Sequence, residues 1–116
     1  MNKSHQLGQY GESLARQYLT QSDFQILETN WRWQKAEIDI IALQDQTIIF
    51  VEVKTRRSER FGQPSEFVSV KKQDLMKEAA EAFLEINAMK NEIRFDIISI
   101  IANSPFPKID HIPNAF

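Results

Sequence analysis

Two predicted strands carry charged residues where the interior of a strand is usually apolar. The first contains Glu37 and Asp39, and the second contains Glu52 and Lys54. Because side chains alternate between the faces of a strand, each pair shares one face of the sheet. Paired carboxylates beside a lysine could bind a divalent metal and prepare water to hydrolyse a phosphodiester. The same residues could instead form ion pairs between Lys54 and Glu37 or Glu52 on a solvated face, and the pattern leaves both interpretations open.

The spacing of these two strands predicts a hairpin. The strands are expected over residues 37–43 and 47–55, joined by a two-residue turn at Asp45-Gln46. This register puts Asp39 directly opposite Glu52, with about 5 Å between their Cβ atoms. Two carboxylates at that distance repel each other, and a divalent cation such as Mg²⁺ would offset the repulsion. The apolar residues of the hairpin should point together into a core, and they are Ile38, Ile40, Val51 and Val53.

Apolar spacing predicts the elements that surround the hairpin. Helices are expected over residues 4–21 and 69–89, and further strands over residues 24–27 and 92–102. Ser4 is the expected N-cap of the first helix, and Ser69 that of the second. Residues 103–116 hold three of the four prolines and are expected to form an irregular tail. The order of elements predicts one α/β domain, spanning residues 1–116, with a mixed sheet.

Several other conspicuous residues are interpreted as structural. Gly8 and Gly11 weaken the first helix, which suggests that another part of the backbone approaches it closely. The remaining residues interpreted in this way are Trp31 and Trp33 as core side chains, His5 and His111 as surface side chains, and Arg94 with Asp96 as a buried ion pair.

The composition excludes several classes of protein. At 116 residues the chain has room for one domain, and 42% hydrophobic with 26% charged residues is typical of a globular protein. It has no cysteine, which rules out disulfides, zinc–thiolate sites and cysteine nucleophiles. The first residues lack the apolar segment of a signal peptide, and no apolar run is long enough to span a membrane. A cytoplasmic protein with no membrane partner is therefore expected.

The formal net charge is -2, but the charges are distributed unevenly. Residues 54–77 carry seven basic and three acidic side chains. Such a stretch could bind the phosphates of a nucleic acid, or it could be a solvated loop and helix face. The start of the second helix would add free N–H groups that can hold phosphate. The candidate nucleic-acid-binding residues are Arg56, Arg57, Arg60, Lys71, Lys72 and, at the edge of the site, Gln73.

Longer motifs give the chain a specific resemblance. Asp39 followed by Glu52-Val53-Lys54 resembles the PD-(D/E)xK signature of restriction-endonuclease-like nucleases. A wider set of motifs resembles the YraN family of small bacterial proteins, which are expected to be nuclease-like. These motifs are Gly8-x-x-Gly11-Glu12, Asn30-Trp31-Arg32, Glu37-Ile38-Asp39, Phe50-Val51-Glu52-Val53-Lys54, Arg94-Phe95-Asp96 and Asn114-Ala115-Phe116. Ala36 stands where that family usually has glycine, and Asp45-Gln46 replaces its common Asp-Gly turn.

The resemblance implies a fold and a set of roles. The fold would be a restriction-endonuclease-like mixed β-sheet flanked by helices, similar to that of archaeal Holliday-junction resolvases. Asp39 and Glu52 would be ligands of Mg²⁺ or Mn²⁺, with Glu12 as an outer ligand. Lys54 would position the attacking water. Glu37 belongs to the motif without a clear role.

The function that follows is a metal-dependent endonuclease that hydrolyses DNA. Branched DNA is the substrate implied by the likeness to resolvases, and no residue specifies it. A resolvase role would require a homodimer, because two strands are cut on symmetric sides. One alternative is a nucleic-acid-binding module that has this fold without the catalysis. Another is a protein-interaction module whose sheet face carries only ion pairs.

Overall fold

The computed structural model describes residues 2–58, 68–103 and 105–116. Its elements are α1 (Lys3–Gln21), β1 (Gln25–Trp33), β2 (Ala36–Gln44), β3 (Thr47–Arg56), α2 (Val70–Ile86), β4 (Glu92–Ile101) and β5 (Lys108–Ile112). The five strands form one sheet in the order β1-β2-β3-β4-β5. Only the β3/β4 pair is parallel, and α2 provides the crossover between those two strands. The predicted α/β fold with a mixed sheet is therefore confirmed, and it is consistent with a restriction-endonuclease-like architecture.

Each helix covers one face of the sheet. On the first face, α1 buries Ala15 and Leu19 against the inner strands, together with Ile49 and Ile98. On the second face, a separate apolar cluster joins α2 to the sheet, with Phe50 among its buried residues. Trp31 belongs to this second cluster and packs edge-on against Phe83 of α2, with ring centroids 5.3 Å apart. Trp31 and Trp33 are both partly buried and pack against this cluster, so their interpretation as core side chains is confirmed in part.

The central hairpin has the predicted register at its turn. The paired residues run from Gln44↔Thr47 to Ile40↔Val51. Asp45 and Gln46 form the two-residue turn, with φ of 48° and 74°. Positive φ at both turn residues matches the right-handed twist of the strands, and aspartate tolerates it better than most residues do. The hairpin thus keeps its tight turn although glutamine stands where the related family commonly has glycine.

The prediction that Ile38 and Ile40 point into the same core is wrong. Ile40 packs with the α1 cluster, whereas Ile38 packs with the α2 cluster on the opposite face. The change of face occurs at Asp39, where the β2/β3 pairing also ends. On the other side of β2, Asn30 lies between the partners of Ile40 and Ile38 and has φ of 50°. The local irregularity of β1 and the loss of pairing to β3 therefore coincide at Asp39.

The two helices begin at side-chain caps. The predicted N-cap of α1, Ser4, is wrong: Asn2 caps the helix, and its Oδ1 accepts from the backbone N–H of His5 at 2.7 Å. Ser69 caps α2 as predicted, and its Oγ accepts from the N–H of Lys72 at 3.2 Å. The second cap matters for the site, because it fixes the direction in which the first turn of α2 presents its side chains.

The C-terminal segment is not irregular throughout, as was predicted from its prolines. Residues Lys108–Ile112 form β5, which pairs antiparallel with β4. The prolines at positions 105, 107 and 113 flank this strand and leave its own N–H groups free to pair. Phe116 then stacks on Phe95 of β4, with ring centroids 5.1 Å apart.

A buried polar network fastens β5 to the sheet. Asp96 is fully buried and accepts two hydrogen bonds of 2.8 Å from Arg94, which confirms the predicted Arg–Asp pair. His111 lies 2.7 Å from Asp96 through Nε2 and 2.8 Å from the Tyr18 hydroxyl through Nδ1, so its prediction as a surface residue is wrong. Burial alone would raise the pKa of Asp96. Hydrogen bonds from His111, Arg94 and the N–H of Asn114 outweigh it and lower that pKa below 3.8.

The close approach predicted for α1 occurs at Gly11. A Cβ atom at this position would lie 1.8 Å from Oγ1 of Thr55 on β3, far inside van der Waals contact. A Cβ atom at Gly8 would have nothing within 4 Å. The absence of a side chain at Gly11 therefore lets α1 lie against β3.

Within the part of the chain that the structure describes, no helix is long and apolar enough to cross a membrane.

We expect Gly11→Ala to lower the free energy of unfolding by about 1–3 kcal/mol, because the added methyl group overpacks the contact with Thr55. Gly8→Ala is the matched control on the same helix. It should leave stability unchanged or raise it by up to about 1 kcal/mol, since alanine favours helix and meets no neighbour. Urea denaturation of both variants measures the difference. Equal stability of the two variants would contradict the close packing at Gly11.

Candidate functional site

The acidic residues of the motifs meet at one cavity. Asp39, Glu52 and Glu12 all line a cavity of about 400 Å³ at the point where β2 and β3 part. Gly8 lies one turn before Glu12 on α1 and lines the same cavity. Lys72 lines the cavity from the first turn of α2. The structure thus brings together three of the four residues predicted to be catalytic.

Asp39, on β2, is hydrogen-bonded to β3, the strand from which β2 has separated. Its Oδ2 accepts a hydrogen bond of 2.8 Å from the backbone N–H of Val53. The side chain thereby replaces a strand–strand hydrogen bond and takes up the donor that β3 would otherwise leave unpaired. Asp39 also hydrogen-bonds to the side chain of Glu52. A hydrogen bond between two carboxyl groups requires a proton on one of them.

The pKa of Asp39 is raised from 3.8 to about 8. Burial is the largest cause, because desolvation penalises the charged form. The charge of Glu52, the hydrogen bond to Glu52 and the charge of Glu12 raise the pKa further, while the N–H of Val53 opposes them. In the absence of a bound cation, the site therefore keeps a proton on Asp39 at neutral pH.

Glu52 is neutralised by a different lysine from the one that the sequence indicates. Its side chain is only 5% exposed and forms an ion pair with Nζ of Lys72, whose side chain is 45% exposed. The alternative interpretation assigned this ion pair to Lys54. β3 pairs with β4 residue by residue through Arg56, so Lys54 lies on the same face as Glu52, as predicted. Lys54 is half-buried and makes no ion pair within the described ranges. It does not line the carboxylate cavity.

Glu37 lies outside the carboxylate cluster. It forms an ion pair of 2.8 Å with Arg32, its partner residue on β1. Both side chains line a neighbouring cavity of about 520 Å³, which Glu12 also lines. Glu12 therefore lines both cavities, whereas Glu37 lines the neighbouring cavity and not the carboxylate cavity.

The candidate nucleic-acid-binding residues lie near the site but differ in their environments. Arg56, Arg57 and Lys71 are exposed, with both arginines at or just beyond the end of β3. Gln73 is half-buried, and its Nε2 donates to the carbonyl oxygen of Val68 at 2.9 Å. This contact gives Gln73 a role in holding the start of α2. Arg60 lies outside the described residues.

The role of Lys72 as the partner of Glu52 is what sequence reasoning missed. Lys72 was predicted to bind nucleic acid because it starts a helix in a basic stretch. Its distance along the chain from Glu52 offers no local signal of the contact. The capping serine was the usable signal, since an N-cap at Ser69 places Lys72 at the third position of the helix.

The donors at this site suit a hard cation only in part. Mg²⁺ prefers oxygen ligands and usually keeps several waters, and Asp39 with Glu52 supplies two adjacent carboxylates. Within the described ranges, no three Asp, Glu, His or Cys side chains converge on one metal position. Asp39 and Glu52 could hold a divalent cation together with water, and Glu12 lies across the cavity as an outer partner.

The raised pKa of Asp39 predicts an unusual dependence of stability on pH. The folded state binds the proton of Asp39 more tightly than the unfolded state, so the stability gained from it is complete below about pH 4. It should be lost as the pH rises toward about 8, with a slope approaching about 1.4 kcal/mol per pH unit. Asp39→Asn should remove this slope in metal-free protein. Denaturant unfolding at several pH values, with a chelator present, measures it.

Asp45→Asn is the control for this measurement, because Asp45 is exposed in the hairpin turn and asparagine tolerates its positive φ. It should retain the wild-type slope. Adding millimolar Mg²⁺ at pH 8 should restore the stability of the wild-type protein and leave Asp39→Asn unchanged. A wild-type slope in Asp39→Asn would show that Asp39 does not carry the buried proton.

Comparison with known proteins identifies relatives over the whole chain. A family model described as "Uncharacterised protein family UPF0102" matches residues 11–100. The UPF0102 protein of Christiangramia forsetii is 45% identical over 116 residues, which cover 100% of this chain and 98% of the relative. That of Geobacter metallireducens is 47% identical over 116 residues, covering 99% and 93%. That of Caldicellulosiruptor bescii is 44% identical over 115 residues, covering 96% and 97%.

The matched region includes α1 from Gly11 onward, the central hairpin, α2 and nearly all of β4. It therefore contains Glu12, Asp39, Glu52 and Lys72, the charged residues that line the carboxylate cavity. Because the family model covers most of the chain and the relatives cover nearly all of it, the chain belongs to the UPF0102 family, the YraN family that its motifs resemble.

Proposed function

We propose that this protein is a metal-dependent endonuclease that hydrolyses phosphodiester bonds in DNA. The observation that supports the proposal most strongly is the contact between Asp39 and Glu52 in an open cavity. Two adjacent carboxyl groups, one of them protonated at neutral pH, lower the stability of the folded protein. Such a pair is not expected in a protein that does not use it. Strongly perturbed carboxyl groups in a cavity are typical of functional sites.

Each residue of the site would have a separate role in this reaction. Asp39 and Glu52 would hold Mg²⁺ or Mn²⁺, and Glu12 would act across the cavity as an outer ligand. The chemistry that such a cation supplies when bound is Lewis acidity toward a phosphoryl oxygen and toward water. Val53 keeps Asp39 oriented through its N–H. Lys54, on the same sheet face as Glu52, would position or deprotonate the attacking water.

The basic residues around the cavity would bind the nucleic-acid backbone. Arg56 and Arg57 follow Lys54 directly and are exposed, so a backbone held by them would lie along the end of β3. Branched DNA is the proposed substrate by likeness to resolvases, and a resolvase role would also require a homodimer.

A second candidate function is a nucleic-acid-binding module that does not cut. The ion pair between Glu52 and Lys72 favours it, because this contact balances the charge of Glu52 without any metal. In this alternative, Asp39 would remain protonated and the basic surface would be the functional part.

The cleavage test uses labelled single-stranded, duplex, flap and four-way junction DNA, with Mg²⁺, Mn²⁺ or chelator. We expect cutting by the wild-type protein that requires metal, and a loss of at least about 100-fold in Asp39→Asn. Asp45→Asn, the same substitution at an exposed turn, should cut at the wild-type rate. Lys54→Met should lose about 100-fold in rate with little change in DNA affinity, since it removes a group that acts on water.

The outcomes separate the two functions. Cutting that persists in Asp39→Asn would come from a contaminant or from another site, and it would contradict the proposed role. DNA binding without any cutting, with equal affinity in metal and chelator, would favour the binding module.

The role of the two arginines can be tested by binding alone. Replacing Arg56 and Arg57 together with glutamine should weaken DNA binding for every sequence, and the plot of log affinity against log salt should lose about two units of slope. Lys77→Gln with Lys90→Gln is the control, because both lysines are exposed and the change of charge is the same. Fluorescence anisotropy over a range of salt measures both. Equal salt slopes in the two double variants would exclude a specific role of the arginines.

A further inference from the structure

We propose that Lys72 is an internal counter-ion that gives up Glu52 when a divalent cation binds and then holds a phosphate of the DNA. This inference rests on the proposed function and adds to it a residue that competes with the metal. The contact that suggests it joins Nζ of Lys72 to Oε2 of Glu52, the oxygen that a cation at this site would also need.

Glu52 is buried and therefore needs a counter-ion. Its side chain is 5% exposed, and leaving such a carboxylate unpaired would cost several kcal/mol. Asp39 cannot balance this charge, because a carboxyl group is neutral or negative and never positive. Among the described residues, Lys72 alone forms an ion pair with Glu52. In metal-free protein, therefore, Lys72 is the counter-ion of Glu52.

Lys72 and a divalent cation would compete for the same oxygen of Glu52. An ammonium group and a divalent cation repel each other, and both seek the outward lone pairs of Glu52. Metal binding should therefore weaken the Lys72 contact, and the contact should weaken metal binding by the same factor. A lysine suits this role because its four-carbon stem is flexible and its side chain is 45% exposed, so Nζ can move without unfolding α2.

Once released from Glu52, Lys72 would remain at the N-terminal end of α2. It belongs to the first turn of α2, next to the exposed Lys71, and it lines both the carboxylate cavity and a second cavity of about 270 Å³. The N-terminal end of a helix attracts anions, and among the described residues Oγ of Ser69 accepts from the N–H of Lys72 at this end of α2. A phosphate beside the carboxylate site would meet a freed ammonium group at this end.

The metal affinity of the protein without DNA tests the competition directly. Mn²⁺ binding is followed by electron paramagnetic resonance, and Mg²⁺ binding by the shift in melting temperature. Lys72→Met should bind Mn²⁺ about twofold to fivefold more tightly than wild type, the size expected for a partly exposed ion pair. Lys72→Arg and the control Lys77→Met should stay near wild type. Asp39→Asn should lose binding. Circular dichroism verifies folding, and Lys72→Gln, which keeps an N–H donor, replaces Lys72→Met if the latter fails to fold.

Binding to duplex DNA tests the second half of the proposal. In wild type, adding Ca²⁺, which also takes oxygen ligands, should increase DNA affinity by about threefold or more beyond its effect on Lys72→Met, because metal frees Lys72 for phosphate. Lys72→Met should therefore bind metal more tightly and also show a smaller effect of metal on DNA binding. A lysine with a purely structural role would not produce both changes.

The unfavourable outcomes can be told apart. Unchanged or weaker Mn²⁺ binding in Lys72→Met, with binding lost in Asp39→Asn, would overturn the role of Lys72 and leave the proposed nuclease site intact. Absence of Mn²⁺ binding in wild type and in every variant would overturn the proposed metal site, and the role of Lys72 with it. A metal effect on DNA binding that is the same in Lys72→Met as in wild type would overturn the transfer of Lys72 to phosphate.

Discussion

The contact between Asp39 and Glu52 is the constraint on which this site depends. Two carboxyl groups in a poorly solvated cavity cannot both stay charged without compensation. The structure compensates them in three ways: a proton on Asp39, an N–H from Val53, and the ammonium group of Lys72. The N–H belongs to β3 of the hairpin, and the ammonium group belongs to α2. The hairpin and α2 therefore both have to be in place before the pair is tolerable.

The separation of β2 from β3 gives Asp39 a main-chain hydrogen-bond donor. Pairing between them ends at Ile40↔Val51, one residue before Asp39. If it continued, Asp39 would stand opposite Glu52 as an ordinary cross-strand pair, and its carboxylate would have no main-chain donor. Because the strands part, the N–H of Val53 is free to bind Oδ2 of Asp39. The irregular backbone at Asn30, with φ of 50°, allows β2 to turn its residues at this point while it stays paired with β1.

The sequence was sufficient for the parts of the fold that depend on local chemistry. Alternating apolar residues and a two-residue turn defined the central hairpin, and the cap at Ser69 defined the start of α2. Ile38 could not be assigned correctly, because its face depends on where β2 leaves β3, and no residue type between Glu37 and Ile40 signals that departure. The role of His111 was hidden for a similar reason, since its partners Asp96 and Tyr18 belong to other elements, β4 and α1. The acidic residues of the site were found from spacing and from the family resemblance, while the lysine that contacts them was assigned another role.

The rigidity of the site has to come from the β4 side of the sheet. β3 loses β2 at the site but remains paired with β4 through Arg56, with Glu52 opposite Ile97 and Lys54 opposite Ser99. β4 is in turn fixed at Asp96, which lies opposite Val51 and binds the β5 residue His111. Asp39 thus lies where β2 has left β3 and is held by its hydrogen bonds to Val53 and Glu52, while Glu52 stays in a continuous ladder with β4. A change at Asp39 should therefore be absorbed by β2, whereas a change at Asp96 would shift the strand that carries Glu52 and Lys54. The buried network near the C terminus thus serves the same site as the carboxylates, although it has no contact with the cavity.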